Sequence, residues 1–358
     1  MPLPGGDVLS ADSSSQSIAP VDVLIVDDSL VARSVFERIL EMHPDTRVRA
    51  SVGSIDEALA VLATERVDVI LLDIEMPGRG GIEGLPDLLA RGQGARVLVV
   101  SAQVEEQGAT AVAALTAGAC DTLLKPGRRG YQGNFPRTLI DRVVGIGRRR
   151  DPAVLPAALI RSVETVTLAR PDVIAIGGST GAIGALATLL GALDPSVASP
   201  ILVTQHLPAT FVPFFVEQLA RSGRRPVLVA VDGAPLLPHH VYVGPGTRHL
   251  GLRRGAAGPV LATFDGDYAV RYTPAVDALF ETVADVAGDG TLAILLSGMG
   301  RDGLAGARRI AAAGGAVIAQ DAASSVVWGM PGAVVRRGIA SAAGDPAMLA
   351  AAISRSFR

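Results

Sequence analysis

Ser179 sits between Gly177 and Gly181 in the run Val173-Ile174-Ala175-Ile176-Gly177-Gly178-Ser179-Thr180-Gly181. A G-x-S-x-G spacing lets a buried strand turn sharply into a helix. It leaves the hydroxyl beside the free N–H groups of the helix start, where developing negative charge is favoured. The same small-residue turn can also cradle a phosphate or seat a helix on a sheet. Two further reactive residues follow apolar runs: His206 in Thr204-Gln205-His206-Leu207-Pro208, and Asp302 in Ser297-Gly298-Met299-Gly300-Arg301-Asp302-Gly303. A serine, a histidine and an acid on neighbouring strand ends can serve as nucleophile, base and orienting group. Taken singly, His206 also suits a structural hydrogen-bond partner and Asp302 a helix N-cap. His249 is the rival base. The order serine, histidine, acid departs from the serine, acid, histidine order of α/β-hydrolases, so the turn does not make this an ordinary lipase or esterase.

A second set of reactive residues lies nearer the N-terminus. Asp27 and Asp28 follow Val23–Val26, Asp73 follows Val67–Leu72, Ser101 follows Val97–Val100 and Lys125 follows Thr122–Leu124. Carboxylates brought together repel one another and draw in a hard divalent cation, and oxygen ligands suit Mg²⁺. A lysine and a hydroxyl beside them can hold phosphoryl oxygens, so the set suits phosphoryl transfer onto a carboxylate, with Asp73 the natural acceptor. One acid at a strand end is ordinarily a solvated loop residue. Acids, hydroxyl and lysine together at four strand ends argue for a site.

Positioning these groups requires parallel sheets, whose ligands gather at the carboxyl ends of the strands. Apolar runs alternate with amphipathic segments over residues 21–149, with a weaker run at Val48–Val52, which predicts five βα units. Phe135 to Ile146 forms the last helix of that unit, and Arg148-Arg149-Arg150 reads as its solvated basic end. Residues 150–170 read as an extended linker, and residues 1–20 as a disordered tail rich in Ser, Asp, Gly and Pro. Over residues 171–358 buried strands are predicted at Val173–Ile176, Pro200–Thr204, Val227–Val231, Leu292–Leu296 and Ala316–Ala319. Between Asp232 and Thr263 short β segments with Gly/Pro turns, such as Val241-Tyr242-Val243, read as a hairpin excursion. The expected fold is therefore α/β in two domains: an N-terminal (βα)5 parallel sheet, and a C-terminal doubly wound, mostly parallel sheet with a β-hairpin excursion.

Composition narrows the class. The net charge of −3 gives no general attraction to nucleic acid or to an anionic membrane. The single cysteine, Cys120, excludes an internal disulfide and fits a reducing compartment. No apolar run reaches about 18 residues, and the first 20 lack a basic segment followed by an apolar one, so neither membrane insertion nor a signal peptide is expected. These features point to a soluble cytoplasmic protein, and a monomer is expected.

The motifs themselves resemble known families. Val26-Asp27-Asp28-Ser29, Asp73-Ile74-Glu75-Met76-Pro77-Gly78, Ser101-Ala102 and Lys125-Pro126 are similar to the signature of response-regulator receiver domains. The resemblance implies that Asp73 accepts phosphate from a histidine kinase. It also implies that Asp27, Asp28, Asp73 and the Glu75 carbonyl organise Mg²⁺, that Ser101 and Lys125 contact the phosphoryl group, and that Lys125-Pro126 is a cis peptide. Thr122 stands where that family usually has an aromatic residue, which puts the usual aromatic switch in doubt.

Ile176-Gly177-Gly178-Ser179-Thr180-Gly181, Gln205-His206-Leu207-Pro208 and Ser297-to-Gly303 resemble the catalytic domain of the chemotaxis protein-glutamate methylesterases. So do Tyr242-Val243-Gly244-Pro245, Arg248-His249-Leu250, Pro274-Ala275-Val276-Asp277 and Val327-Trp328-Gly329-Met330-Pro331. This resemblance implies Ser179, His206 and Asp302 as the catalytic set, the Met299 N–H as an oxyanion donor and Thr180 as an auxiliary group. The implied substrates are glutamyl methyl esters, and glutamines, on methyl-accepting chemoreceptors, with no cofactor needed for hydrolysis. It further implies that the unphosphorylated receiver covers the entrance to the effector site. Gly178 and Ala182 are mild departures, the family usually having alanine and then glycine. Three other readings are weaker. A nucleotide-binding loop would want G-x-G-x-x-G and an acid where His206 stands. A binding module with a degenerate site sits poorly with an intact Ser179, His206 and Asp302. A DNA-binding regulator needs a basic recognition helix, and none is apparent.

Overall fold

The computed structural model describes residues 19–101, 107–126, 133–148, 161–268 and 272–358. Residues 1–18 of the expected tail and 149–160 of the expected connector lie outside these. The N-terminal unit has strands β1 (Val21–Val26), β2 (Thr46–Val52), β3 (Val69–Asp73), β4 (Arg96–Ser101) and β5 (Asp121–Leu124). They alternate with α1 (Leu30–Glu41), α2 (Ile55–Leu62), α3 (Gly81–Arg91), α4 (Gln107–Thr116) and α5 (Phe135–Gly147). The strand order is β2-β1-β3-β4-β5, every pair parallel. Both faces of this sheet are covered: Leu24 and Val26 of β1 face one apolar layer, Val23 and Ile25 the other. That explains why the strands read as unbroken apolar runs and not as alternating ones.

The C-terminal unit opens with β6 (Arg161–Ser162), β7 (Val173–Gly178), α6 (Ala182–Ala192), β8 (Ile201–Gln205), α7 (Val212–Gly223) and β9 (Val227–Val229). It continues with β10 (Val241–Val243), β11 (His249–Gly255), β12 (Gly258–Phe264), α8 (Val276–Ala287), β13 (Thr291–Leu295) and α9 (Leu304–Ala312). β14 (Ala316–Gln320), α10 (Met330–Val335), β15 (Ala342–Gly344) and α11 (Pro346–Arg355) complete it. Eight strands form one sheet in the order β6-β15-β14-β13-β7-β8-β10-β9, and every pair is parallel. The chain winds outward from β7 in one direction through β8 and returns on its other side at β13. The crevice between their carboxyl ends is the switch point where such sheets hold their ligands.

Two expectations need correction. Val241–Val243 is not part of the hairpin excursion: it inserts between β8 and β9 as a parallel strand of the main sheet, with Val241 and Val243 buried. The hairpin is β11–β12 alone, an antiparallel pair outside that sheet. The segment 161–165, expected within the linker, belongs to the C-terminal unit. Arg161–Ser162 pairs with β15, Val163 is buried, and Arg355 Nη2 donates to the Val163 carbonyl at 3.1 Å. Strands of two or three residues are defined by what they pair with more than by their own pattern.

The two units share one apolar layer. Ala111, Val112 and Leu115 of α4 belong to the same buried cluster as Ile183 and Leu186 of α6 and Phe211 and Phe215 beside and within α7. Gly108 allows close approach here, since a methyl group on it would lie 2.6 Å from the Phe214 ring.

Candidate active site

Ser179 follows β7 directly. Its N–H donates to the Ser297 carbonyl at 3.0 Å, and its own carbonyl accepts from Gln205 Nε2 at 2.9 Å. Gly181 has φ of +78°, and a Cβ there would come 2.4 Å from Val326 Cβ, so this turn requires glycine twice over. His206 leaves β8 with its N–H on the Gly178 carbonyl at 3.1 Å. Those backbone bonds bring the side chains into line. His206 Nδ1 lies 3.2 Å from Ser179 Oγ, and Nε2 lies 2.8 Å from Asp302 Oδ2. With Nε2–H donating to the carboxylate, Nδ1 faces the serine as an acceptor.

Asp302 is held by more than the imidazole. Its Oδ2 also accepts from Val276 N–H at 2.7 Å, and its Oδ1 from Asp277 N–H at 3.0 Å and Gly303 N–H at 2.9 Å. Burial alone would raise this carboxyl, but the hydrogen bond and charge of His206 and the backbone donors outweigh it and hold the group below the usual carboxylate range. Asp302 is therefore ionised at neutral pH. Its contribution to stability is present above its unfolded value of about 4 and is lost as pH falls through the depressed folded value.

Several expectations are sharpened. His249 is not poised as a base: Nε2 is 3.0 Å from the Gly266 carbonyl, Nδ1 accepts from Ala275 N–H at 3.0 Å, and the ring is buried. The Thr180 hydroxyl donates to the Asp121 carboxylate across the domain boundary, and its carbonyl accepts from Ser297 Oγ at 2.7 Å. Met299 lies in the glycine-flanked turn before Asp302, and its side chain reaches α5, where a methyl on Gly145 would lie 3.1 Å from Sδ. Two neighbours went unmarked in sequence. The bond of Gln205 to the Ser179 carbonyl follows only from strand register. Tyr272 stacks on the His206 ring with centroids 4.3 Å apart, a tertiary contact with no local signal.

The departures at Gly178 and Ala182 prove reciprocal. A Cβ on Gly178 would fall 2.5 Å from the Ala182 Cβ and 3.0 Å from Gln205 Oε1, so the two positions share room for one methyl. Gly178→Ala is therefore expected to destabilise the protein by about 1–3 kcal/mol through overpacking. Adding Ala182→Gly is expected to recover most of that loss. Thermal denaturation of the single and double variants checks this, and equal melting temperatures for both would contradict it.

In the N-terminal unit the carboxylates of Asp27, Asp28 and Asp73 offer oxygens within 4.8 Å of one another. Lys125 Nζ lies 2.7 Å from both Asp27 Oδ2 and Asp73 Oδ2. Burial raises the Asp73 carboxyl, with the Asp27 charge adding to it, although Lys125 opposes the shift. The Ser101 hydroxyl is buried and has no hydrogen-bond partner among the described residues, and Glu75 follows Asp73 by two residues. An oxygen-rich donor set beside an orphaned hydroxyl and an ammonium group fits a divalent cation and a phosphoryl group. The expected cis bond at Lys125-Pro126 is absent: among the described residues Thr273-Pro274 is the cis bond, and the lysine spans both acids with its bond to proline trans. Thr122 is buried, and its carbonyl accepts from Arg142 at 3.3 Å.

Between the units, Gly181 N–H donates to the Cys120 carbonyl at 2.8 Å, and Asp121 receives both Thr180 and the Arg142 guanidinium. The Cys120 thiol is pushed up to about 11, chiefly by burial, and stays protonated. Leu115, Ala119, Cys120 and Asp121 close over Ser179 and His206, leaving a cavity of about 10 Å³, room for a single water.

Comparison with known proteins completes the description. Residues 174–353 match the model of the CheB methylesterase family, and residues 23–130 the response regulator receiver domain. The chain belongs to the CheB methylesterase family. A CheB relative in Rhodopseudomonas palustris, the protein-glutamate methylesterase/protein-glutamine glutaminase of group 2 operon, is 37% identical over 93% of each chain. One from Azospirillum brasilense, named protein-glutamate methylesterase/protein-glutamine glutaminase, is 38% identical over 90% of this chain and 89% of its own. The crystal structure of the Thermotoga maritima CheB methylesterase catalytic domain matches with 31% identity and a TM-score of 0.50, covering 52% of this chain and 98% of that one. Among the described residues no helix is long and apolar enough to cross a membrane.

Proposed function

We propose that this chain is a cytoplasmic, phosphorylation-gated hydrolase that demethylates glutamyl methyl esters on methyl-accepting chemoreceptors and deamidates glutamines there, serving sensory adaptation. The observation that carries the reading is the unbroken line from Ser179 through His206 to Asp302 at the switch point of the sheet. His206 Nδ1 takes the Ser179 proton as Oγ attacks the γ-carbonyl, and Asp302 supports the imidazolium through Nε2–H. The Met299 N–H serves the tetrahedral oxyanion. Collapse expels methanol, or ammonia from glutamine, which leaves with the proton from Nδ1. Water then attacks the acyl-enzyme with His206 again as base, freeing glutamate and Ser179. Hydrolysis draws on these side chains without a cofactor.

Asp73 would accept phosphate from a histidine kinase, with Ser101 and Lys125 on the phosphoryl oxygens. Asp27, Asp28, Asp73 and the Glu75 carbonyl would hold Mg²⁺, which when bound supplies charge neutralisation for the acids and the phosphoryl group. With the receiver closed over Ser179 the cavity beside it holds about 10 Å³, so gating would work by phosphorylation favouring a state in which the two units separate. A small phosphodonor is expected to stimulate methanol release by the wild type and not by Asp73→Asn. Equal stimulation of both would overturn the gating.

A further inference from the structure

Helices α8 and α9 both begin without a cap of their own. Ala275 precedes α8 and Gly303 precedes α9, and neither contributes a side-chain hydrogen bond to the helix it starts. A helix start leaves N–H groups in need of acceptors, and a buried start left bare is costly. Each helix here borrows a carboxylate from the other. Asp302, just before α9, accepts from Val276 and Asp277 N–H in the first turn of α8. Asp277, in that first turn, accepts from Gly306 N–H of α9 at 2.8 Å. The helices touch closely at this end: a Cβ on Gly306 would lie 2.5 Å from Phe280 Cβ and 3.0 Å from the Asp277 carbonyl oxygen.

We infer that Asp277 is the positioning residue for Asp302: by capping α9 it fixes the chain that carries Asp302 and so keeps that carboxylate on His206 Nε2. Asp277 touches neither the imidazole nor the serine and acts through the helix start. The reciprocal exchange makes the arrangement over-determined, since each carboxylate is oriented by N–H groups of the helix that carries the other. Burial pushes the Asp277 carboxyl up to about 6, the Gly306 N–H opposing and the charges of Asp302 and Glu281 adding to it. Asp277 also faces Tyr268, whose phenol is raised by burial and by the charges of Glu281 and Asp277, with Arg309 opposing. This inference rests on the reading of Asp302 as the group that orients His206.

The test compares three variants of the whole chain, stimulated by a small phosphodonor and assayed for methanol release from methyl-labelled receptor membranes. Asp277→Ala removes the acceptor, Asp277→Asn keeps a carbonyl oxygen for the same N–H, and Asp285→Ala breaks the Asp285–Arg309 pair at the other end of the same two helices. Asp277→Ala is expected to lose roughly 10-fold to 100-fold in kcat with KM little changed, and its acid limb in kcat/KM to move to lower pH. Asp277→Asn is expected to stay within about threefold of wild type. Asp285→Ala is expected to keep its kcat even where its melting temperature falls as far as that of Asp277→Ala. A kcat loss in Asp285→Ala that tracks melting temperature would overturn positioning in favour of general stability. An equal loss and equal pH shift in Asp277→Asn and Asp277→Ala would overturn it in favour of a charge effect. Should Asp277→Ala not fold, a pH profile for Asp277→Asn matching wild type, with a full kcat, supports the inference, and a displaced one overturns it. A wild type without activity would count against the enzyme reading itself, whereas an active wild type with an equally active Asp277→Ala would count against Asp277 alone.

Discussion

Asp302→Asn is expected to lower kcat by about 10³–10⁴ while the protein remains folded, as loss of an orienting carboxylate does in serine hydrolases. The present site gives a specific reason. Both carboxylate oxygens already accept N–H groups, Oδ2 from His206 and Val276 and Oδ1 from Asp277 and Gly303. An amide must turn its NH₂ towards one of those pairs and set donor against donor. If it faces His206, the imidazole is driven to the tautomer with hydrogen on Nδ1, which can no longer accept the Ser179 proton. If it faces Asp277 and Gly303, the start of α8 loses an acceptor and the imidazolium loses its counter-charge. Rates from purified enzyme on methyl-labelled receptor membranes check this; a loss below about tenfold would mean that Asp302 caps a helix and does little for His206.

Asp121→Ala is expected to raise activity in the absence of any phosphodonor. Asp121 is one point where the receiver grips the nucleophile turn: the Thr180 hydroxyl and the Arg142 guanidinium both donate to it. Hydrogen bonds to a charged group contribute about 1.5–3 kcal/mol each, so losing the one that crosses between units shifts the closed-to-open ratio by roughly 10-fold to 100-fold. The Gly181 N–H bond to the Cys120 carbonyl and the apolar contact of α4 with α6 and α7 remain, so some closure persists. Basal methanol release should therefore rise at least severalfold and the further response to phosphodonor should shrink. A basal rate equal to wild type with an undiminished response would show that Asp121 does not hold the units together.

Much of this was legible because parallel sheets place ligands at strand ends. The strands at β1, β3, β4, β7, β8 and β13 are buried on both faces and read as unbroken apolar runs, which put Asp27, Asp28, Asp73, Ser101, Ser179 and His206 at their ends. Val241–Val243 misled because its Gly and Pro neighbours look like hairpin turns, and its membership of the main sheet depends on β8 and β9 on either side. Tyr272 over His206 and the carboxylate exchange between Asp277 and Asp302 join residues that no spacing rule connects. The docking face of the receiver was hidden for another reason. Leu115 and Phe211 are apolar residues on helical segments, and nothing in their own sequence separates an interface from a core.

Methanol release from methyl-labelled receptor membranes, with phosphodonor present, shows whether Ser179 is the nucleophile when wild type is set beside Ser179→Ala. Release by the wild type is expected, and none above background from Ser179→Ala, since Oγ forms the acyl-enzyme bond and no other group described at the site can replace it. Ester hydrolysis that survives Ser179→Ala at a comparable rate would contradict it.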